Sequence, residues 1–301
     1  MLGVAAPPSG AGGLILRKAP GCDPGHFIGM QIRTVLHPTD FSDASAEAFV
    51  HALRIALAAK AKLYLLHVAS GEENDVMDFP HVRETLAQWG LMSANEPLRA
   101  VEAKLGISIA KIDLEPQAPA EGVRRFLADH EPDLMVLATE ARHGASRWLH
   151  GSVAEKLARE TSAPTLFVPA KARGFVDQQR GEVHLRHVVI PIDHAPKPAA
   201  AVGVIMGLAH LLAGMDAEEH LLHIGKAAPR VARHDAPERV LPVALRQGDV
   251  VEAILAAAND WPADLIGMAT AGHRNVLDMM RGSTTERVLR QAPCPVLAVP
   301  A

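Results

Sequence analysis

Short apolar runs alternate along this chain with stretches in which apolar residues recur every three or four positions. Ile32-Arg33-Thr34-Val35-Leu36-His37 is β-branched and apolar and stops at Pro38-Thr39-Asp40. Beyond it, Ala46, Phe49, Val50, Leu53 and Leu57 share a helix face, and Phe41-Ser42-Asp43 supplies N-cap chemistry for its start. Lys62 to Val68 reads as a second strand. Helical pattern follows around Val82 to Met92 and from Leu98 to Leu105, then a strand at Ile107 to Ile112 and a helix at Ala120 to Asp129. Leu134 to Ala138, a helix after Gly151, and Thr165 to Val168 complete the series. The strands lack strict two-residue alternation, which predicts a parallel sheet covered on both faces, an α/β doubly wound domain.

The series then recurs. Asp133 opens DLMVLATEARHGASRWLHGSVAEKLARETSAPTLFVP, and Asp264, 131 residues later, opens DLIGMATAGHRNVLDMMRGSTTERVLRQAPCPVLAVP. Each is a strand, a loop, a Gly-Ser helix start and a proline-opened strand, so the chain is a tandem duplication. Repeat two starts at His187-Val188-Val189-Ile190-Pro191-Ile192-Asp193, continues with a helix bearing Val202, Ile205, Leu208 and Leu212, and has its second strand at His220 to Ile224. Between His67 and Gln117 lie 49 residues, and between the matching His223 and Gly248 only 24. Repeat two has therefore lost about one helix from a crossover, and AAPRVARHDAPERV is expected to be mostly loop. The expected organisation is a disordered tail at 1–29, a first domain at 30–170, a polar linker with Gly174 and Gly181 at 171–186, and a second domain at 187–301. Met30, directly before the first strand, offers an alternative start.

Composition narrows the classes. The 301 residues are 49% hydrophobic but only 4% aromatic, so Ala, Val, Leu and Ile must build the cores. A net charge of −4 excludes the basic field of a general nucleic-acid or membrane-surface binder. No stretch approaches the roughly 18 apolar residues of a membrane span, and Leu14 to Leu16 is too short for a signal peptide core. Cys22 and Cys294 are far apart in sequence, so neither a disulfide framework nor a thiolate zinc site follows, and a reduced cytoplasmic setting is expected. Of the sixteen histidines, His81, His143, His150, His184, His187 and His194 form no tight H-x3-H or H-x-H pattern with carboxylates, so no dedicated metal site is expected; His67 and His223 occupy matching strand-two positions and read as fold features.

Ligands of open parallel sheets sit at the carboxyl ends of the strands, where strand order reverses. In repeat two Asp193 ends the first strand, Gly272 follows the fourth, and Gly282-Ser283 opens a helix whose free N–H groups favour an anion. A carboxylate for amino or hydroxyl groups and a helix start for phosphates suit a nucleotide. The plainer alternative is that Ser152-x2-Glu155 and Ser283-x2-Glu286 are capping boxes only.

The spacing Ala269-x2-Gly272-x9-Gly282-Ser283, behind a strand ending Pro-Ile-Asp and before APCPVLAVP, resembles the universal stress protein A family, whose loop is written G-x2-G-x9-G-[ST]. The resemblance covers both repeats from Met30 onward. It implies two five-stranded parallel sheets, each with helices on both faces, packed as an intramolecular pseudo-dimer through Thr165 to Val168 and Val296 to Val299. For the ATP-binding members it implies contacts carried here by Pro191, Ile192, Asp193, Ile224, Met268, Ala269, Gly272, Gly282, Ser283 and Thr284. Arg281, beside Gly282, is within reach of a phosphate, although Arg281, Arg287 and Arg290 also fit a solvated helix face.

Repeat one departs from that pattern. Its register gives Ala138-x2-Ala141-x9-Gly151-Ser152, with alanine in place of both loop glycines and Glu140 adding negative charge. If the second position needs a positive φ, alanine there costs roughly 1–2 kcal/mol. Asp40, Val68, Ala138, Ala141, Gly151 and Ser152 therefore mark a degenerate copy, with Asp40 best read as a helix-cap residue. Repeat two departs only at Ala269, while Asp249 and Asp278 add negative charge nearby in sequence.

The resulting expectation is a cytoplasmic stress-response protein that binds ATP, ADP or AMP in repeat two, with or without Mg²⁺, as a non-catalytic sensor or regulator. A nucleotide-independent scaffold or chaperone-like factor and a slow ATPase are the alternatives. No P-loop lysine and no base can be assigned, which ranks hydrolysis lower. Further homo-oligomerisation is left open, and Cys294 is expected to be a buried, inert thiol.

Overall fold

The structure, a computed structural model, describes residues 31–68, 81–97, 99–114, 119–139, 163–232, 238–270 and 284–300. Repeat one contributes β1 (Thr34–Pro38), α1 (Asp43–Ala59), β2 (Lys62–Val68), α2 (Val82–Gln88), α3 (Ala100–Leu105), β3 (Ser108–Leu114), α4 (Pro119–Asp129), β4 (Leu134–Thr139) and β5 (Thr165–Pro169). Repeat two contributes β6 (His187–Pro191), α5 (Ala199–Ala213), β7 (Glu218–Ile224), β8 (Val243–Arg246), α6 (Val250–Asp260), β9 (Leu265–Thr270), α7 (Thr284–Leu289) and β10 (Val296–Pro300). A single 3-10 turn, Gly214–Asp216, follows α5.

Local chemistry sets these limits. Ser42, extended at φ −69° and ψ 160°, accepts a hydrogen bond from the Ser45 N–H and caps α1 as its sequence predicts. Lys60, in the left-handed region at φ 56°, ends that helix. Asp249 caps α6 in the same way, accepting from the N–H groups of Val251 and Glu252.

All ten strands form one sheet in the order β3-β2-β1-β4-β5-β10-β9-β6-β7-β8. Within each repeat every pairing is parallel. The seam is antiparallel and joins the last strands, with Phe167 opposite Val296, Leu166 opposite Leu297 and Thr165 opposite Ala298. All six residues are fully or almost fully buried, and each of Leu166, Phe167, Val296 and Leu297 so enclosed contributes about 1.5–3 kcal/mol. The pairing of last strands implied by the sequence is thus present.

The two faces of the sheet differ. On one face a single core runs through both repeats, including Leu53 and Ile55 of α1, Trp89, Ile205 and Leu208 of α5, and Leu166 and Leu297 at the seam. The other face carries two cores, one around Val123, Phe126 and Phe167 and one around Ile254, Ile266 and Val296. Trp89 and Met92, on the repeat-one insertion, are buried in the shared core and so cover the sheet.

Two findings correct the sequence reading. The connector is no solvated linker: Phe175, Val176 and Leu185 are buried in the shared core, and a short hairpin bridges Val176 to Val183. The backbone N–H groups of Phe175 and Val176 donate to His51 Nε2 at 3.0 and 3.3 Å, while the His51 Nδ1–H donates to the Glu47 carbonyl at 2.8 Å. The Trp89 indole N–H donates to the Gln178 carbonyl at 2.9 Å, and Gly181, at φ +65°, leaves room for that ring. Polar residues mask this segment because its anchors are three apolar side chains and its own backbone. Second, Ala199–Asp216 is long and apolar enough to cross a membrane by length and composition alone. Ala201, Val202, Ile205, Leu208 and Ala209 along it are buried in the protein core, so a core helix meets the same description.

Candidate functional site

Strand order reverses between β1 and β4 in repeat one and between β6 and β9 in repeat two. The strands pair only near their starts, through Val35–Leu134 and Leu36–Met135 in one repeat and Val188–Leu265 and Val189–Ile266 in the other. Beyond those pairs the carboxyl ends lack mutual register, which is where a doubly wound sheet opens a crevice. An aspartate staples the other end of each gap. Asp133 Oδ2 accepts from the N–H groups of Arg33 and Thr34 at 2.8 and 2.9 Å, and Asp264 Oδ2 accepts from those of Arg186 and His187 at 2.8 and 3.1 Å. Sequence reasoning assigned these aspartates no role, although each opens a repeated run.

In repeat two, Pro191, Ile192 and Asp193 lie at the end of β6, Ile224 at the end of β7, and Met268 and Ala269 at the end of β9. The side chains of Ile192 and Met268 are committed to cores on the two faces of the sheet. Asp193 differs: its side chain is 71% exposed, Oδ1 accepts the His194 N–H at 2.7 Å, and His223 Nδ1 lies 3.8 Å away. His223, itself buried, donates its Nδ1–H to the Ile192 carbonyl at 3.0 Å, pinning β7 to the β6 end. The His194 ring packs edge-on against it, with centroids 5.4 Å apart, and its Nε2 is 3.0 Å from the Ala227 carbonyl. Gly225 is needed beside this pair, because a Cβ there would lie 2.5 Å from His223 Nε2. Asp193, His194 and His223 also place one donor atom each close enough to share a cation.

Thr284 is the first residue of α7. Gly272, Arg281, Gly282 and Ser283 lie outside the described residues, as do Ala141, Gly151 and Ser152 of the repeat-one copy and the nearby Asp278. Asp249 is accounted for: the Glu252 N–H and Arg287 hold its carboxyl below the usual range, and Arg287 Nη2 lies 3.4 Å from it. Arg290 pairs with Glu286, so neither arginine is an uncommitted phosphate ligand. Cys294 is buried beside Asp264, and burial pushes its thiol up to about 12.

The repeat-one end is built differently. Asp40 Oδ1 accepts from both the Ser42 N–H at 3.1 Å and the Ser42 hydroxyl at 2.6 Å. It supports the cap residue and is not itself the cap. Phe41, at φ 59°, stacks on His67 with centroids 4.3 Å apart and an interplanar angle of 25°. His67 Nδ1 reaches the Thr39 carbonyl at 3.0 Å, the same strand-to-strand contact His223 makes. His37 crosses from β1 to the Val136 carbonyl of β4 at 3.0 Å, and its Nε2 is 3.4 Å from the Ser45 hydroxyl, which donates to Thr39 Oγ1. Val68 is buried, and Ala138 packs on the shared core.

Comparison with known proteins agrees with this architecture. The universal stress protein family matches twice, over residues 31–169 and 176–300. Universal stress protein MJ0531 of Methanocaldococcus jannaschii is 32% identical over 145 residues, 45% of this chain and 81% of that relative. A universal stress protein of Thermus aquaticus is 49% identical over 55 residues, 18% of this chain and 40% of that relative. Among solved structures, a universal stress protein from Archaeoglobus fulgidus superposes with a TM-score of 0.55 at 21% identity, covering 89% of this chain and 96% of its own. A functionally unknown Pseudomonas aeruginosa protein gives 0.54 at 14% identity over 89% and 92%. With two family matches in one chain and a parallel 3-2-1-4-5 sheet in each, this chain belongs to the universal stress protein family and carries two copies of its domain.

Proposed function

We propose that repeat two binds an adenine nucleotide, ATP or its di- or monophosphate, and that the protein is a stress-response sensor or regulator acting through this binding rather than an enzyme. The supporting observation is the contrast between two matching carboxylates. Asp193 is exposed at the switch point with one N–H on it, whereas Asp40 is occupied by the backbone and hydroxyl of Ser42. An exposed carboxylate at a strand's carboxyl end can accept from ribose hydroxyls or an exocyclic amine, and the sequence places Gly272 and Gly282-Ser283 where phosphates would lie. Mg²⁺ would then ride on the phosphates, since it is held by few protein oxygens. Domains at 30–170 and 187–301, joined through 171–186 in a cytoplasmic protein, complete the proposal.

Native mass spectrometry of the full chain with Mg-ATP tests it, beside Gly282→Asp and Asp193→Ala. One nucleotide per chain, lost in Gly282→Asp, is the expected result. Two per chain would mean that Ala138 and Ala141 do not disable repeat one. None at millimolar ATP would leave the nucleotide-independent scaffold, and phosphate release above that of Gly282→Asp would make the protein a slow ATPase.

A further inference from the structure

We propose that His187, Glu218 and His220 form a binding site for a divalent transition-metal ion of the zinc type, at the amino ends of β6 and β7 and the opposite end of the repeat-two strands from Asp193. The parallel register pairs His187 with Glu218 and Val189 with His220, so strand alternation puts Glu218 and His220 on one face and His187 beside them. His187 Nδ1 lies 3.3 Å from His220 Nε2, and Glu218 Oε2 lies 3.7 and 4.0 Å from those two nitrogens. Ligands about 2.0–2.1 Å from a tetrahedral ion stand about 3.4 Å apart, so the imidazoles already have the required separation. The Glu218 side chain is 70% exposed and has only a few tenths of an ångström to close. Two imidazoles and one carboxylate, with a fourth position left to water, are a donor set that suits zinc and its neighbours rather than magnesium or calcium.

The supporting shell is fixed. The His220 ring lies flat on Trp261, with centroids 4.7 Å apart and planes 6° from parallel. Arg246, 5.1 Å from the centroid of that indole, is paired with Asp260 at 2.7 Å and leaves little net charge to repel an ion. Glu219, on the opposite side of β7, is paired with His210 at 2.8 Å and does not compete.

Repeat one lacks this ligand set. Its register places Thr34, Lys62 and Tyr64 where repeat two has His187, Glu218 and His220. There the Lys62 ammonium sits 4.5 Å from the Tyr64 ring centroid. No pattern within a single element reveals the repeat-two group, because the third ligand comes from the neighbouring strand.

The test uses the full chain, stripped with a chelator and titrated with Zn²⁺ by calorimetry, and separately with Cu²⁺ while tryptophan emission is followed. The expected result is one tight Zn²⁺ per chain, unaffected by excess Mg²⁺, with affinity falling at least tenfold in Glu218→Gln and in His220→Asn and unchanged in the exposed His194→Asn. Glu218 is exposed, so its variant keeps the fold, which an unchanged metal-free melting temperature verifies. Cu²⁺ should quench emission in the native chain and lose most of that effect in Trp261→Phe. Absence of Zn²⁺ binding at 100-fold molar excess would overturn the proposal. So would binding that survives both Glu218→Gln and His220→Asn, or that disappears in His194→Asn, which would place the ion at the Asp193–His194–His223 cluster.

Discussion

The two switch points start from the same strand geometry and end with opposite contents. In repeat one the strand-end side chains engage one another: Phe41 stacks on His67, His37 reaches across to β4, and Asp40 is engaged by Ser42. In repeat two the matching residues are His194, Ile190 and Asp193. Ile190 turns into the shared core, and Asp193 faces outward. Duplication preserved the scaffold, namely the strand-two histidine contact and the Asp133 and Asp264 staples, and the side chains at the ligand end diverged. Preserved positions therefore report folding, and the divergent ones are where the proposed difference in ligand binding would arise.

Acid should break the comparison most strongly. Burial pushes His37 and His51, both in repeat one, down to about 4 from 6.5, and repeat two has Ile190 at the first position. With the folded value below the unfolded one, the unfolded chain takes up more protons, so this stability is full above pH 6.5 and falls as the pH drops towards 4. At about 1.4 kcal/mol per pH unit, each histidine contributes a loss on the order of 3 kcal/mol across that window. Thermal unfolding at pH 7, 6 and 5 checks this, and His37→Ile, the residue of repeat two, should flatten the trend by about half.

Next is Gly181→Ala. The added methyl would lie 2.3 Å from the Trp89 ring at a left-handed φ, and it should destabilise the chain by at least about 2 kcal/mol. Denaturant melts would register this; an unchanged midpoint would mean that the connector does not lock repeat one. Asp193→Ala should weaken nucleotide binding by roughly 10- to 100-fold, the value of hydrogen bonds to a charged group, with little change in melting temperature. The smallest effect is expected from Asp40→Ala, about 1 kcal/mol of stability from the lost Ser42 contacts and no change in nucleotide stoichiometry. If Asp40→Ala altered binding and Asp193→Ala altered folding, the assignment of the two copies would be reversed.

What the sequence makes legible is local or repeated. The Ser42 cap, the apolar strand runs and the proline before each last strand are short-range signals, and a fixed offset of 131 residues makes the second copy corroborate the first. The strand-end Asp193 follows from the same logic, whereas Ile224 and Ala269 are singled out only by the family resemblance. Contacts set by tertiary structure alone are illegible. His51 holds the backbone of Phe175 from 124 residues away, and nothing in the polar string around Gly174 announces it. His187 meets Glu218 and His220 only through the register of two parallel strands.

The antiparallel seam between β5 and β10 reverses the direction of every strand from one copy to the next. The ten-stranded plate consequently has two unlike rims. Along one, the Asp40 end of repeat one shares the border with the His187 corner of repeat two; along the other, the Asp193 end stands on the border that carries the Asp133 staple. A partner approaching edge-on meets either the Asp193 rim or the Asp40 rim, never both, so two chains meeting through like rims would enclose both Asp193 ends or neither.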